Sequence, residues 1–212
     1  MKQATGSNRG IETRELSIQI ALDGFSFYVM SQDRVLAQRS FEGIALHDAL
    51  EQMAFSYGPL EVTSCVWHTA NMVAVPTEIF ENSLCDRYIE LAGKAPGCCC
   101  TVSIDNVTVV WTVEPEMMEQ CQVLMPVAVH HHQVEYQLGS EGLILDLFYN
   151  IACITYQQQG KLRVAQSVQV TNSADVLYFL KSFAPEASSL TFSGIDMFEC
   201  RAVLQNFYHF NQ

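Results

Sequence analysis

The chain has 212 residues, of which 49% are hydrophobic and only 16% charged, so disorder and coiled coil fit poorly and there is enough apolar material for one large domain or two lobes. A formal net charge of −12 with eleven lysines and arginines leaves too few cations to displace phosphate counterions, which argues against nucleic acid or an anionic membrane as the main partner. No apolar run reaches bilayer length, and the opening MKQATGSNRGIETRE is polar where a leader needs an apolar stretch. The expectation is a soluble, cytoplasmic protein whose first 13 residues are flexible.

Leu16, Ile18, Ile20 and Leu22 alternate with polar or small residues, the period of a strand. After the turn signal Asp23-Gly24, FSFYVM and RVLAQRSF read as a second and third strand, with Ser31-Gln32-Asp33 as the turn between them. IALHDALEQMAF changes to helical spacing, placing Ile44, Leu46, Leu50 and Met53 on one face, and LEVTSCVW returns to strand. MVAVPTEIFENSLCDRYIELAG predicts a short strand, then a helix opened by Pro76 and carrying Ile79, Leu84, Tyr88 and Leu91. GKAPGCCC is the most loop-like interior stretch. VTVVWTV predicts a buried strand, and PEMMEQCQVLM a helix beginning at Pro115 with Glu114, Glu116 and Glu119 where the helix dipole favours acid. PVAVHHH predicts a short strand that runs into a helix ending at Gly139 or Gly142.

The order then repeats. GLILDLF, NIACITY and KLRVAQSVQV predict three strands, NSADVLYFLKSF a helix with Ser173 as its N-cap, SSLTFSG a strand ending in Gly194, and MFECRAVLQNFYHF a closing helix with Phe198, Phe207, Tyr208 and Phe210. Ala37-Gln38 aligns with Ala165-Gln166 and Asp48-Ala49-Leu50 with Asp175-Val176-Leu177, but the shared order of elements is the stronger sign of duplication. Three antiparallel strands, a right-handed crossover helix and a parallel fourth strand, used twice, give two α/β lobes around a cleft. The division expected is residues 14–140 for the first lobe, with an insertion over about 58–105, and 141–212 for the second.

The metal and nucleophile candidates are weak. Of the eight cysteines, five sit in apolar stretches as reduced core thiols, and Cys98-Cys99-Cys100 reads as a run in a loop rather than a zinc site. His130-His131-His132 reads as surface histidines at a strand end, since neighbours on a strand point to opposite faces. No Ser or Cys has the local setting of a nucleophile.

The duplicated pattern resembles the actin-like ATPase fold of the ribonuclease H-like group, which includes actin, sugar kinases and pilus-assembly actin homologues. The segments VAVPTEIF, TVEPEMMEQCQVLMP, VAVHHH and NSADVLYFLKSF…LTFSG resemble, more closely, the bacterial family designated domain of unknown function 3822. The resemblance implies a site in the cleft. Active members carry Asp-x-Gly after the first strand of each lobe, where glycine admits phosphate to backbone amides and aspartate helps hold hydrated magnesium, and Gly-Gly beside the adenosine. This chain reads Asp23-Gly24-Phe25, Asp146-Leu147-Phe148 and Ser193-Gly194 at those places. Phe25 and Phe148 are expected to fill the phosphate space, and two aspartates facing each other would repel a triphosphate.

The expectation is therefore a degenerate nucleotide cleft at Asp23, Gly24, Asp146, Ser193 and Gly194, with no cofactor and no metal, in a non-catalytic module that binds a protein partner or itself. The alternative is a magnesium–ATP switch or phosphotransferase using both aspartates. A nuclease would need three or four clustered carboxylates around two metals, which the strand ends do not supply.

Overall fold

The computed structural model describes residues 15–31, 34–58, 60–196 and 198–211. Residues 1–13 and the Gln32-Asp33 turn, for which the sequence raised expectations, lie outside that set.

Strand β1 (Glu15–Ala21) buries Leu16, Ile18 and Ile20 on one face, as period-two alternation dictates. It pairs antiparallel with β2 (Gly24–Ser31), which pairs antiparallel with β3 (Arg34–Glu42). Helix α1 (Leu46–Tyr57) lays Leu46, Ala49 and Met53 on this sheet and returns the chain as β4 (Glu61–Trp67), parallel to β1. The chain next builds a separate antiparallel sheet from β5 (Met72–Pro76), β6 (Cys98–Ile104) and β7 (Val107–Val113), in the order β5-β7-β6, with α2 (Cys85–Leu91) before β6. Helix α3 (Pro115–Leu124) then leads to β8 (Val129–His132), which completes a five-stranded sheet of order β3-β2-β1-β4-β8.

The same construction follows again. Strands β9 (Gly142–Phe148), β10 (Ile151–Gln158) and β11 (Lys161–Gln169) form an antiparallel meander, α4 (Ser173–Phe183) crosses over, and β12 (Ser189–Gly194) returns parallel to β9. After α5 (Cys200–Leu204), β13 (His209–Phe210) pairs with β12, giving the order β11-β10-β9-β12-β13. The fold is thus α/β, with two mixed five-stranded sheets of identical topology and flanking helices. Each sheet has its own core. Leu16, Ile18, Phe27 and Met53 pack in the first together with Trp111 and Val109 of β7. Leu143, Leu145, Val176 and Leu180 pack in the second. No helix among the described residues is long and apolar enough to cross a membrane.

Several local expectations are corrected. Pro76 ends β5 rather than opening a helix. Two short 3-10 turns follow, because Thr77 N–H bonds to Asn106 across the sheet while the Tyr88 hydroxyl donates to Ile79 O and accepts from Glu81 N, so helix begins only at Cys85. Cys98-Cys99-Cys100 is not a loop but the start of β6, paired with Val113, Thr112 and Trp111. The missed signal is Asp105-Asn106, a two-residue hairpin turn in which Asp105 takes φ 53°. The segment after His132 is a single 3-10 turn, Gln133–Tyr136, closed by a capping box of His132 and Glu135. Asn172, not Ser173, caps α4: its Oδ1 accepts from Ala174 N at 2.8 Å and Asp175 N at 3.0 Å. The closing helix is short because the chain turns to bury Tyr208 and hand His209-Phe210 to the sheet edge.

Candidate functional site

The two first hairpins meet between the lobes. In the first, Ala21 and Gly24 are the last paired residues, so Leu22 and Asp23 form the turn. In the second, Phe148 pairs with Ile151, so Tyr149 and Asn150 form it. Matching the hairpins by hydrogen-bond register places Ala21 opposite Phe148, Asp23 opposite Asn150 and Asp146 opposite Gln19. The equivalence of Asp23 with Asp146 read from the letters is therefore off by four positions. Asp23 is exposed at its turn, whereas Asp146 lies within β9, 6% exposed.

Ala21, Phe148 and Tyr149 pack together with Ile195 where the hairpins touch. Gly24 is needed there, since a Cβ on it would come within 2.6 Å of Phe41 O and 2.8 Å of the Tyr149 hydroxyl. Phe25, expected beside Phe148, turns instead into the first core because β2 presents its odd-numbered residues to α1. Phe148 does reach the interlobe space, where its ring stacks on His68 with centroids 4.1 Å apart.

Around Asp146 the geometry is that of a buried carboxylate held by its own lobe. Ser193, its neighbour in the β9–β12 register, donates Oγ–H to Asp146 Oδ2 at 2.6 Å. Burial raises the Asp146 pKa, and the Ser193 bond offsets part of that rise. His68 Nδ1 lies 3.9 Å from Asp146 Oδ1, beyond hydrogen-bond reach. Burial drives the His68 pKa well down, so its ring is neutral. Gly194 has φ +89° and pairs with Leu147, whose backbone leaves no room there for a Cβ.

The lobes are tied together beside this point. Thr69 O accepts from Ser167 Oγ at 2.6 Å and from His132 Nε2 at 3.3 Å, and Lys94 Nζ donates to Ser167 O at 3.2 Å. His132 is fully buried rather than at the surface. Its Nδ1 accepts from Val134 N, which puts the ring proton on Nε2, and burial pulls its pKa down to about 4. His130 accepts at Nδ1 from Trp67 Nε1 at 3.0 Å, and His131 pairs with Glu135 at 2.9 Å, so the three rings serve three separate contacts. Cys99 donates to Asp86, and burial pushes its pKa up to about 12; Cys65, Cys121 and Cys153 are held at about 12 the same way, which leaves them as unreactive thiols. Among the described residues no group of three or more His, Cys, Asp or Glu side chains is placed to hold a metal.

The spaces open between the lobes include one of about 370 Å³, lined by Val75 and Val107 from the first and Arg163 from the second, and, beside the first hairpins, a cavity of about 190 Å³. From the first lobe it is lined by Ile20, Trp67, His68 and Asn71, with Thr112 and Met117 beyond them; Asn150 and Gln169 close it from the second. Neither Asp23 nor Asp146 is in its lining, no lysine or arginine is, and its one ionisable acid is Glu114.

Comparison with known proteins agrees with this architecture. A protein of Bacteroides thetaiotaomicron with actin-like ATPase fold and unknown function superposes with a TM-score of 0.71 at 18% identity, over 98% of this chain and 93% of that one. The cytoplasmic domain of EpsL, an inner membrane component of the type II secretion system of Vibrio cholerae, matches with a TM-score of 0.56 at 14% identity, over 86% of this chain and 82% of that one. The PilM–PilN type IV pilus biogenesis complex contains a chain matching with a TM-score of 0.54 at 8% identity, over 94% and 88%. The fold is therefore the actin-like ATPase fold. No family model matches the chain, and no curated protein does.

Proposed function

We propose that this chain is a non-catalytic actin-like module, a member of the domain of unknown function 3822 family, that acts by binding another protein. The observation that carries this reading is the packing of Phe148, Tyr149 and His68 between the first hairpins, where a nucleotide's phosphates would need glycine amides and a cation. The cavity beside the first hairpins, at about 190 Å³, is below the ~300–1,000 Å³ of ordinary ligand pockets, and its lining has no cation to meet a triphosphate. Two of the structural neighbours are, by their names, parts of secretion and pilus assemblies, which favours an assembly role. An open surface favours it as well. Among the described residues strand β3 is a sheet edge, exposed along most of its length, and Arg39 on it bonds Ser56 of α1 at 3.1 Å, next to Phe55, which is 95% exposed.

The test is a thermal melt with EDTA, with magnesium, and with magnesium plus millimolar ATP or ADP. A ligand at a hundred times its dissociation constant adds about 2.7 kcal/mol, which a melt resolves. No nucleotide shift is expected. A shift that disappears in Asp23→Ala would overturn the reading in favour of a magnesium–nucleotide switch.

A further inference from the structure

The two lobes finish the same construction differently. Helices α1 and α3 share a core with the first sheet, as α4 and α5 do with the second. In the second lobe the residue leading into the last strand is Tyr208, buried in one cluster with Leu180 and Leu204, and Lys181 Nζ of α4 lies 4.2 Å over its ring. In the first lobe the residues leading into β8 are Met125-Pro126-Val127-Ala128, none of them aromatic. Ala49 and Met53 of α1 match Val176 and Leu180 of α4 as buried residues, so Ala54 stands where α4 has Lys181. What the second lobe fills with its own ring and ammonium group, the first leaves as a slot of about 480 Å³ between α1 and the end of α3. Its size is within the ~300–1,000 Å³ of ordinary binding pockets. Leu16, Met53 and Met125 are the buried residues beneath it, and Leu50 and Leu124 stand half-buried on either side.

The surface around the slot is apolar and acidic. Phe55, beside Ala54 in the chain, and Val123, beside Leu124, are both largely exposed, as is Val127 in the lining itself. The ionisable groups of the lining are His47, Glu51 and Glu61, with no lysine or arginine among the described residues. Glu61 is the register neighbour of Glu15, and both are exposed. Like charges side by side on neighbouring strands repel, so a cation brought to this rim is favoured. A small molecule in the slot would leave Phe55 and Val123 uncovered, and a second copy of this chain would bring another net charge of −12 to an acidic rim.

We propose that the slot between α1 and the α3–β8 connection is the docking site for a segment of a partner protein that carries an aromatic anchor flanked by lysine or arginine. The anchor enters over Met53 and Met125, whose flexible thioethers adapt to it, and the cations meet Glu51 and Glu61. The occupant thus supplies from outside what Tyr208 and Lys181 supply within the second lobe. The inference deepens the reading of this chain as a protein-binding module and rests on it.

The experiment selects displayed random peptides of about twelve residues on the whole chain, then measures the affinities of the recovered peptides by fluorescence anisotropy. They are expected to share a Phe, Tyr or Trp flanked by Lys or Arg. Affinity is expected to fall at least about tenfold in Ala54→Phe, which fills the slot from its own wall, and in the double variant Glu51→Lys, Glu61→Lys. All three positions are exposed, so both variants keep the wild-type fold, which circular dichroism checks. Recovered peptides that are acidic or share no anchor overturn the assignment, as does recovery of none. A concentration-dependent dimer that Ala54→Phe splits into monomers overturns it in favour of a second copy. Peptides that bind Ala54→Phe undiminished overturn the slot and leave the protein-binding reading standing. A melting shift with magnesium–ATP and no peptide recovered overturns that reading itself, so the two failures are distinct.

Discussion

The first hairpin of each lobe has the same topology and the opposite contents. At the β1–β2 turn, Leu22 and Asp23 are exposed and the neighbouring strand, β4, ends in Trp67, packed opposite Ile20. At the β9–β10 turn, Tyr149 is buried at φ 51°, and the neighbouring strand, β12, ends in Gly194 opposite Leu147, the position that matches Ile20. The carboxylate of the first hairpin faces solvent, whereas that of the second lies four positions earlier in register and accepts from Ser193. A duplicated topology therefore need not duplicate a site. Register, not the spacing of letters, decides which residues from the two halves meet.

That contrast can be broken most forcefully at the matched strand ends. Gly194→Ala places a Cβ into the Leu147 backbone at a left-handed φ, and strain with overpacking is expected to cost about 3–5 kcal/mol. Trp67→Ala, at the matching place in the first lobe, is expected to cost about the same for the opposite reason, a cavity. Urea denaturation of both variants measures this; a tolerated Gly194→Ala would mean the second lobe has the slack of an open nucleotide site.

A smaller effect separates the lobes by pH. The folded pKa of His132, about 4, lies below its ordinary 6.5, so its contribution to stability is present above 6.5 and is lost as pH falls towards 4, on the order of 3 kcal/mol. His68 acts in the same direction. Asp146 has a raised pKa and acts oppositely: its contribution is present below about 3.8 and is lost as pH rises through the folded value. Denaturation at stepped pH from 7 to 4 is expected to show falling stability, more steeply in Asp146→Asn. A flat profile would contradict a neutral, buried His132.

Smallest of all is the effect of Asp23→Ala. Exposed at a turn and outside the cavity lining, it is expected to change stability by no more than about 0.5 kcal/mol. A larger loss, restored by magnesium in the wild type alone, would make Asp23 a ligand after all.

Much of the fold was legible along the chain. Period-two alternation at Leu16, Ile18 and Ile20, the helical spacing over Leu46–Met53, and the return of the same element order after Gly142 dictate two α/β lobes, because each pattern can bury its apolar face in only one way. Short-range turn chemistry was legible too, although the Asp105-Asn106 hairpin that makes Cys98–Ile104 a strand went unread. The site was not legible. Nothing near His68 in the sequence marks it, flanked as it is by Trp67 and Thr69 at an ordinary strand end. Its meaning comes from Phe148 stacked on its ring and Asn150 across the cavity, residues some eighty positions away. Composition and periodicity fixed which faces are apolar, since those depend on neighbours in the chain. Which turn meets which, and which polar groups are left without partners between them, depends on contacts between distant segments, and only the packed tertiary structure decides it.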